Sequence, residues 1–171
     1  MPTQKLYKIE LLLYKNVTIT QNMNQLIENE RHNPELQSQL NIDAILEAAE
    51  NVDNNYLGDH SLQSISEEIV QCLKEQNLNN ELLEKYCNSL LQYRYIDQIH
   101  QIHKGKHIRW IRNQKLTNGG IVVDVKFLDN GTHILCKNKN RFIQYKFDEC
   151  MTFQKLTSDE QMILQLKDTY N

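Results

Sequence analysis

A chain of 171 residues with 40% hydrophobic content is long enough for one ordinary domain or two small ones, and too apolar to be disordered throughout. Its formal net charge of −3 hides a sorting by region: residues 1–99 carry 7 Lys/Arg against 15 Asp/Glu, whereas residues 103–146 carry 10 against 2. No charged-then-apolar leader and no apolar run of about 18 residues is present, so secretion and membrane spanning are not expected.

In chain order, residues 5–20 begin with helical spacing and end in β-branched alternation, which predicts a short extended segment and then a helix after Thr20. Asn33-Pro34-Glu35 is a helix start, with Asn as cap, Pro at the first helical position and an acid in the first turn. Leu36, Leu40, Ile45, Leu46 and Ala49 supply its apolar positions, with a break near Asn41. Asn51–His60 is a turn-rich loop. Ser64-Ile65-Ser66-Glu67 has capping-box spacing and leads Ile65, Ile69, Val70 and Leu73 on one face. After a break at Asn77–Asn80, the spacing of Leu83, Tyr86, Leu90, Tyr93 and Ile96 predicts one long helix from about Glu81, ending near Lys104 with Gly105 as its left-handed cap.

Beyond Gly105 the apolar period changes from that of a helix to that of a strand. Strands are expected at 107–112, 121–128, 133–137, 141–147 and 151–156. Asp129-Asn130-Gly131 and Asn138-Lys139-Asn140 provide turns between them, and Gly119-Gly120 ends a longer loop. Thr157-Ser158-Asp159-Glu160 opens a last helix that buries Met162, Ile163 and Leu166. Five short strands closed by a helix fit a small barrel of SH3-like or Tudor-like type, since curling removes exposed edges. The fold class is therefore α+β: an acidic, mainly helical region at 1–104, then a basic β-barrel module with a C-terminal helix at 105–171.

The basic set Lys104, Lys106, Arg109, Arg112, Lys137, Lys139 and Arg141 is the candidate site. Lys/Arg on a small barrel can meet phosphates while exposed aromatics stack on bases. Trp110, Phe127, Phe142, Tyr145 and Phe147 are interleaved with these cations, but so small a barrel needs most of its aromatics inside. Trp110 is read as inward, with Arg109 and Arg112 outward. Lys137-Asn138-Lys139-Asn140-Arg141 would project three cations from one hairpin. The same charge also suits an acidic protein surface, so nucleic acid and a protein partner both stand as candidates.

His100, His103 and His107 form a cluster in which His100 and His103, three apart at a helix end, could share a face, but no carboxylate or cysteine sits at matching spacing beside them, and no metal is expected. Cys72, Cys87, Cys136 and Cys150 form no C-x-x-C pair and are read as free thiols in a reducing compartment. No P-loop, nucleophile elbow, zinc-protease or dinucleotide signature occurs, so neither catalysis nor a cofactor is expected.

Gly105-Lys106-His107-Ile108-Arg109-Trp110-Ile111, followed by Leu116-Thr117-Asn118-Gly119-Gly120-Ile121 and by Phe153-Gln154-Lys155-Leu156-Thr157, resembles a pattern in uncharacterised proteins of large nucleocytoplasmic DNA viruses. The resemblance covers the C-terminal third and carries no catalytic residue. It implies a virus-encoded protein in the cytoplasm or nucleus of a host cell, or in the virion. The combined expectation is a non-enzymatic binding protein whose basic β module engages the nucleic-acid backbone, or an adaptor whose β module docks on another protein.

Overall fold

The computed structural model describes Leu57 and residues 59–170; the expectations for residues 5–49, and most of those for 51–60, lie outside the described residues. Two compact units are present, one spanning residues 69–156 and the other containing 59–68 and 157–170. The fold is α+β, with three helices and seven antiparallel strands among the described residues.

Helix α1, Leu62–Glu75, starts one turn before the Ser64 expected to cap it. Ser61 is the cap: its hydroxyl accepts from Ser64 N at 3.0 Å, and Ser64 Oγ accepts from Ser61 N at 2.9 Å. This reciprocal pairing satisfies two amides that the helix itself leaves unpaired. Ile65, Ile69, Val70 and Leu73 are buried, as their spacing requires. Asn77 takes φ +52 in the turn that ends α1, and Asn79 caps α2, Asn80–Ser89, by accepting from Leu82 N at 2.8 Å.

The long helix expected to reach Lys104 stops at Ser89. Tyr93–Ile96 instead forms strand β1, and a single 3-10 turn follows at Ile99–Gln101. Leu90, Tyr93 and Ile96 fit a helical face by spacing, but Leu90 ends α2 as its C-cap, and a partner strand claims Tyr93 and Ile96, because β1 pairs with Met151–Lys155. Gly105 is consequently no helix cap: at φ +85 it sits in a turn and donates to Val122 O at 2.8 Å.

The remaining strands are β2 His107–Arg112, β3 Lys115–Leu116, β4 Gly120–Leu128, β5 Gly131–Asn138, β6 Arg141–Lys146 and β7 Met151–Lys155. The sheet runs β1-β7-β2-β4-β5-β6, with β3 paired to β2 as a hairpin. The expected five-strand closed barrel is thus replaced by an open seven-strand sheet. Closure would need the free edge of β7, and β1 occupies that edge. Strand β3 arises because Asn113 and Gln114 both take positive φ, 50° and 62°, which is the two-residue turn geometry that matches strand twist.

Although open in its hydrogen bonding, the sheet curls. Trp110 of β2 stacks on Tyr145 of β6 with ring centroids 4.1 Å apart and planes 12° apart, although β4 and β5 lie between those strands in the path. The Tyr145 hydroxyl also meets Thr152 Oγ1 of β7 at 3.0 Å. Ile96, Ile102, Ile108, Val122, Ile134 and Cys136 fill the core around the two rings. Helix α2 is tied to the β2–β3 hairpin through Tyr86, whose hydroxyl donates to Gln114 O at 2.9 Å and accepts from Leu116 N at 3.2 Å.

Helix α3, Ser158–Tyr170, is capped as expected: Thr157 N donates to Glu160 Oε2 at 2.6 Å, and Glu160 N donates back to Thr157 Oγ1 at 3.2 Å. Its buried face is shifted, however. Glu160, Leu164 and Gln165 are buried, Met162 and Ile163 are half-buried, and the Leu166 side chain lies outside the described residues.

Candidate functional site

Strand register decides where each candidate cation points. Along β2 the core face carries Ile108 and Trp110, and the opposite face carries His107, Arg109 and Ile111. Arg112, expected to oppose Trp110, shares its side of the strand. It is exposed because it lies past the end of the core, where its Nη2 pairs with Glu149 Oε2 at 3.2 Å. Arg109 does oppose Trp110, but it is half-buried: its Nε donates to Thr117 O at 2.7 Å and its Nη1 to Ser89 O at 3.3 Å. Lys104 Nζ holds Asp124 Oδ1 at 2.6 Å, and this hydrogen bond keeps the Asp124 carboxyl below the usual carboxylate range. Lys106 is half-buried. Lys104, Arg109 and Arg112 thus hold partners of the fold itself.

The hairpin cations differ. Lys137, Lys139 and Arg141 are exposed and make no ion pair among the described residues. Lys139 occupies the β5–β6 turn at φ +53, and Asn138 Nδ2 anchors that turn by donating to Gly119 O at 2.6 Å. Lys126, on the exposed part of β4, is a further cation without an ion pair among the described residues.

The aromatics divide in the same way. Trp110 and Tyr145 are buried, as expected, but Phe142 is 64% exposed and Phe127 is 73% exposed. The core ends before Phe127, which sits beside the β4–β5 turn. Phe142 lies on the outer face, directly across from Lys137, whose Nζ is 5.9 Å from the ring centroid. Ile121, 42% exposed, is paired to Lys137 on the other side. An exposed cation between an aromatic ring and an apolar side chain is therefore displayed on the outer face of β4–β6.

The three histidines do not converge. His100 is exposed, His103 shares two contacts with the Gln154 side chain, and His107 Nδ1 meets the Tyr93 hydroxyl at 3.2 Å. The helix that would have set His100 and His103 on one face is absent, and no group of three His, Cys, Asp or Glu among the described residues could hold a metal ion. All four cysteines are free; burial pushes the Cys136 thiol up to about 12 and the Cys87 thiol up to about 11, so neither is a ready nucleophile.

Burial first, then Lys155 and Arg109, lowers the pKa of His107. The unfolded chain takes up this proton near pH 6.5, whereas the folded state resists it. The His107 contribution is therefore full above that value and is lost as pH falls toward the lowered folded value. Melting curves from about pH 7 to about pH 5 should show a steeper loss for the native chain than for His107→Gln; parallel losses would remove His107 as the cause.

No helix among the described residues is long and apolar enough to cross a membrane. No family model, curated protein or solved structure matches the chain.

Proposed function

We propose that the chain is a non-enzymatic binding protein whose basic β module engages nucleic acid, with the β5–β6 hairpin as its grip on the phosphate backbone. The observation that carries this reading is the contrast between the two groups of cations. Arg109, Arg112 and Lys104 have partners of their own, whereas Lys137, Lys139 and Arg141 are exposed without ion pairs among the described residues, beside an exposed phenylalanine. Cations not neutralised by a carboxylate retain their attraction for a polyanion. The path β7-β2-β4-β5-β6 takes its strands in the order fifth, first, second, third, fourth, and a 3-10 turn at Phe147–Glu149 precedes the last strand. That order supports reading residues 107–155 as an SH3-like or Tudor-like roll with β1 added at its edge.

The test is a salt titration of the full chain on labelled oligonucleotides. Affinity should fall steeply as salt rises. Changing Lys137, Lys139 and Arg141 together to Gln should reduce the slope of log K against log salt by about 2–3, since each lost phosphate contact removes roughly 0.7–0.9. The variant should melt with the native chain, because its side chains are exposed. Absence of binding at low salt sinks the proposal. It would favour the adaptor reading, which rests on the exposed apolar side chains Ile121, Val123 and Phe142 of the same strands.

A further inference from the structure

The hydrogen-bond register joins side chains from six strands into one row across the outer face. Tyr93 of β1 lies opposite Lys155 of β7. The same register carried one step beyond the Ile108–Gln154 pair sets Lys155 opposite His107 of β2. His107 is then opposite Ile121 of β4, Ile121 opposite Lys137 of β5, and Lys137 opposite Phe142 of β6. Every member is exposed or half-buried. The row places rings at both ends and in the middle, with a lysine between Tyr93 and His107 and another beside Phe142. The Tyr93 and His107 rings meet edge to face, with centroids 6.2 Å apart, and their hydroxyl–Nδ1 contact fixes both.

The geometry points to single-stranded nucleic acid lying along this row, with bases stacked on Tyr93 and Phe142 and phosphates met by Lys155 and Lys137. The inference rests on the nucleic-acid reading above and specifies the ligand. Aromatic faces among cations serve unstacked bases, each of which offers a π-face whatever its identity. In a duplex those faces are hidden.

Shape argues the same way. Five inter-strand steps of about 4.8 Å make the row roughly 24 Å long, and a twist of about 20–25° per step turns its two ends by roughly 100°. A flexible single strand can follow that turn, whereas a duplex is stiff over a far greater length. An acidic peptide would meet the lysines but gain little from rings spaced as stacking platforms.

The experiment uses the full chain and three probes: an oligothymidine of about 12 nucleotides, a duplex of the same length, and polyglutamate. Tightest binding is expected to the single strand. Phe142→Ala should weaken it about 5- to 100-fold with an unchanged salt slope, and Lys137→Gln should instead lower the slope. In Phe142→Trp the new indole should retain affinity and be quenched on binding, against a Trp110 that is buried. An unchanged affinity in Phe142→Ala, absence of quenching in Phe142→Trp, or polyglutamate binding equal to oligothymidine overturns the inference. Equal or tighter binding of duplex overturns it too, but leaves the nucleic-acid reading standing. If no probe binds, both fall together.

Discussion

Substitution of Gly119 by alanine is expected to destabilise the β module by roughly 3–5 kcal/mol, read as a lower urea midpoint with an unchanged slope. Gly119 takes φ +71, where a side chain is strained by about 1–2 kcal/mol. Its added Cβ would also fall 1.8 Å from Ile108 O and 2.8 Å from Ile108 C. Those are backbone atoms, so no rotamer change relieves the clash. The displaced carbonyl lies at a sensitive place: β2 and β4 share only the pairs His107–Ile121 and Ile108–Gly120, and that junction joins β1-β7-β2 to β4-β5-β6. Gly105→Ala is the comparator, because φ is +85 there but nothing lies within 4 Å of the added carbon. It should cost only the conformational strain, about 1–2 kcal/mol. Equal midpoints for the two variants would remove the close approach at Gly119 as the cause.

That glycine also marks what the sequence made legible. Gly119-Gly120 stood out as the end of a loop, but its role depends on Ile108 O, which only the assembled sheet brings near. Alternation and turn residues placed β2, β4, β5, β6 and β7 within one or two residues at each end, helped by the glycine and asparagine turns at 113, 118–120, 129–131 and 138–140. Strand β1 was hidden because Leu90, Tyr93 and Ile96 satisfy helical spacing equally well, and its strand state depends on β7, more than fifty residues on. Strand β3 was hidden because its turn uses Asn113 and Gln114 instead of glycine.

The candidate site was legible as charge but not as geometry. Composition identified the basic region, and alternation set Arg109 opposite Trp110 but misplaced Arg112, which shares the side of Trp110. Neither reveals that Arg112 meets Glu149, 37 residues away, or that Arg109 is held by the carbonyls of Thr117 and Ser89. The row from Tyr93 to Phe142 was further out of reach. It requires β7 to lie between β1 and β2, a pairing of strands distant in sequence that local pattern does not encode.

Trp110→Ala is expected to cost about 3–5 kcal/mol, because the indole is 5% exposed and its removal leaves a cavity that the surrounding strands cannot close. Part of that loss belongs to the stack on Tyr145, which a double-mutant cycle isolates. Trp110→Ala and Tyr145→Ala, singly and together, should show coupling of about 0.5–1.5 kcal/mol. Tyr145→Phe keeps the ring but removes the hydroxyl that meets Thr152 Oγ1. Since Thr152 is fully buried, its orphaned hydroxyl should cost about 1–3 kcal/mol. Additive single changes would mean that the rings do not touch in solution. The coupling therefore tests more than one contact: β2 and β6 are not neighbours in the sheet, and their rings can stack only if the sheet is curled. A zero coupling would therefore remove the contact that shows the curl, while leaving the twist of the outer row and the exposed cations of the β5–β6 hairpin in place.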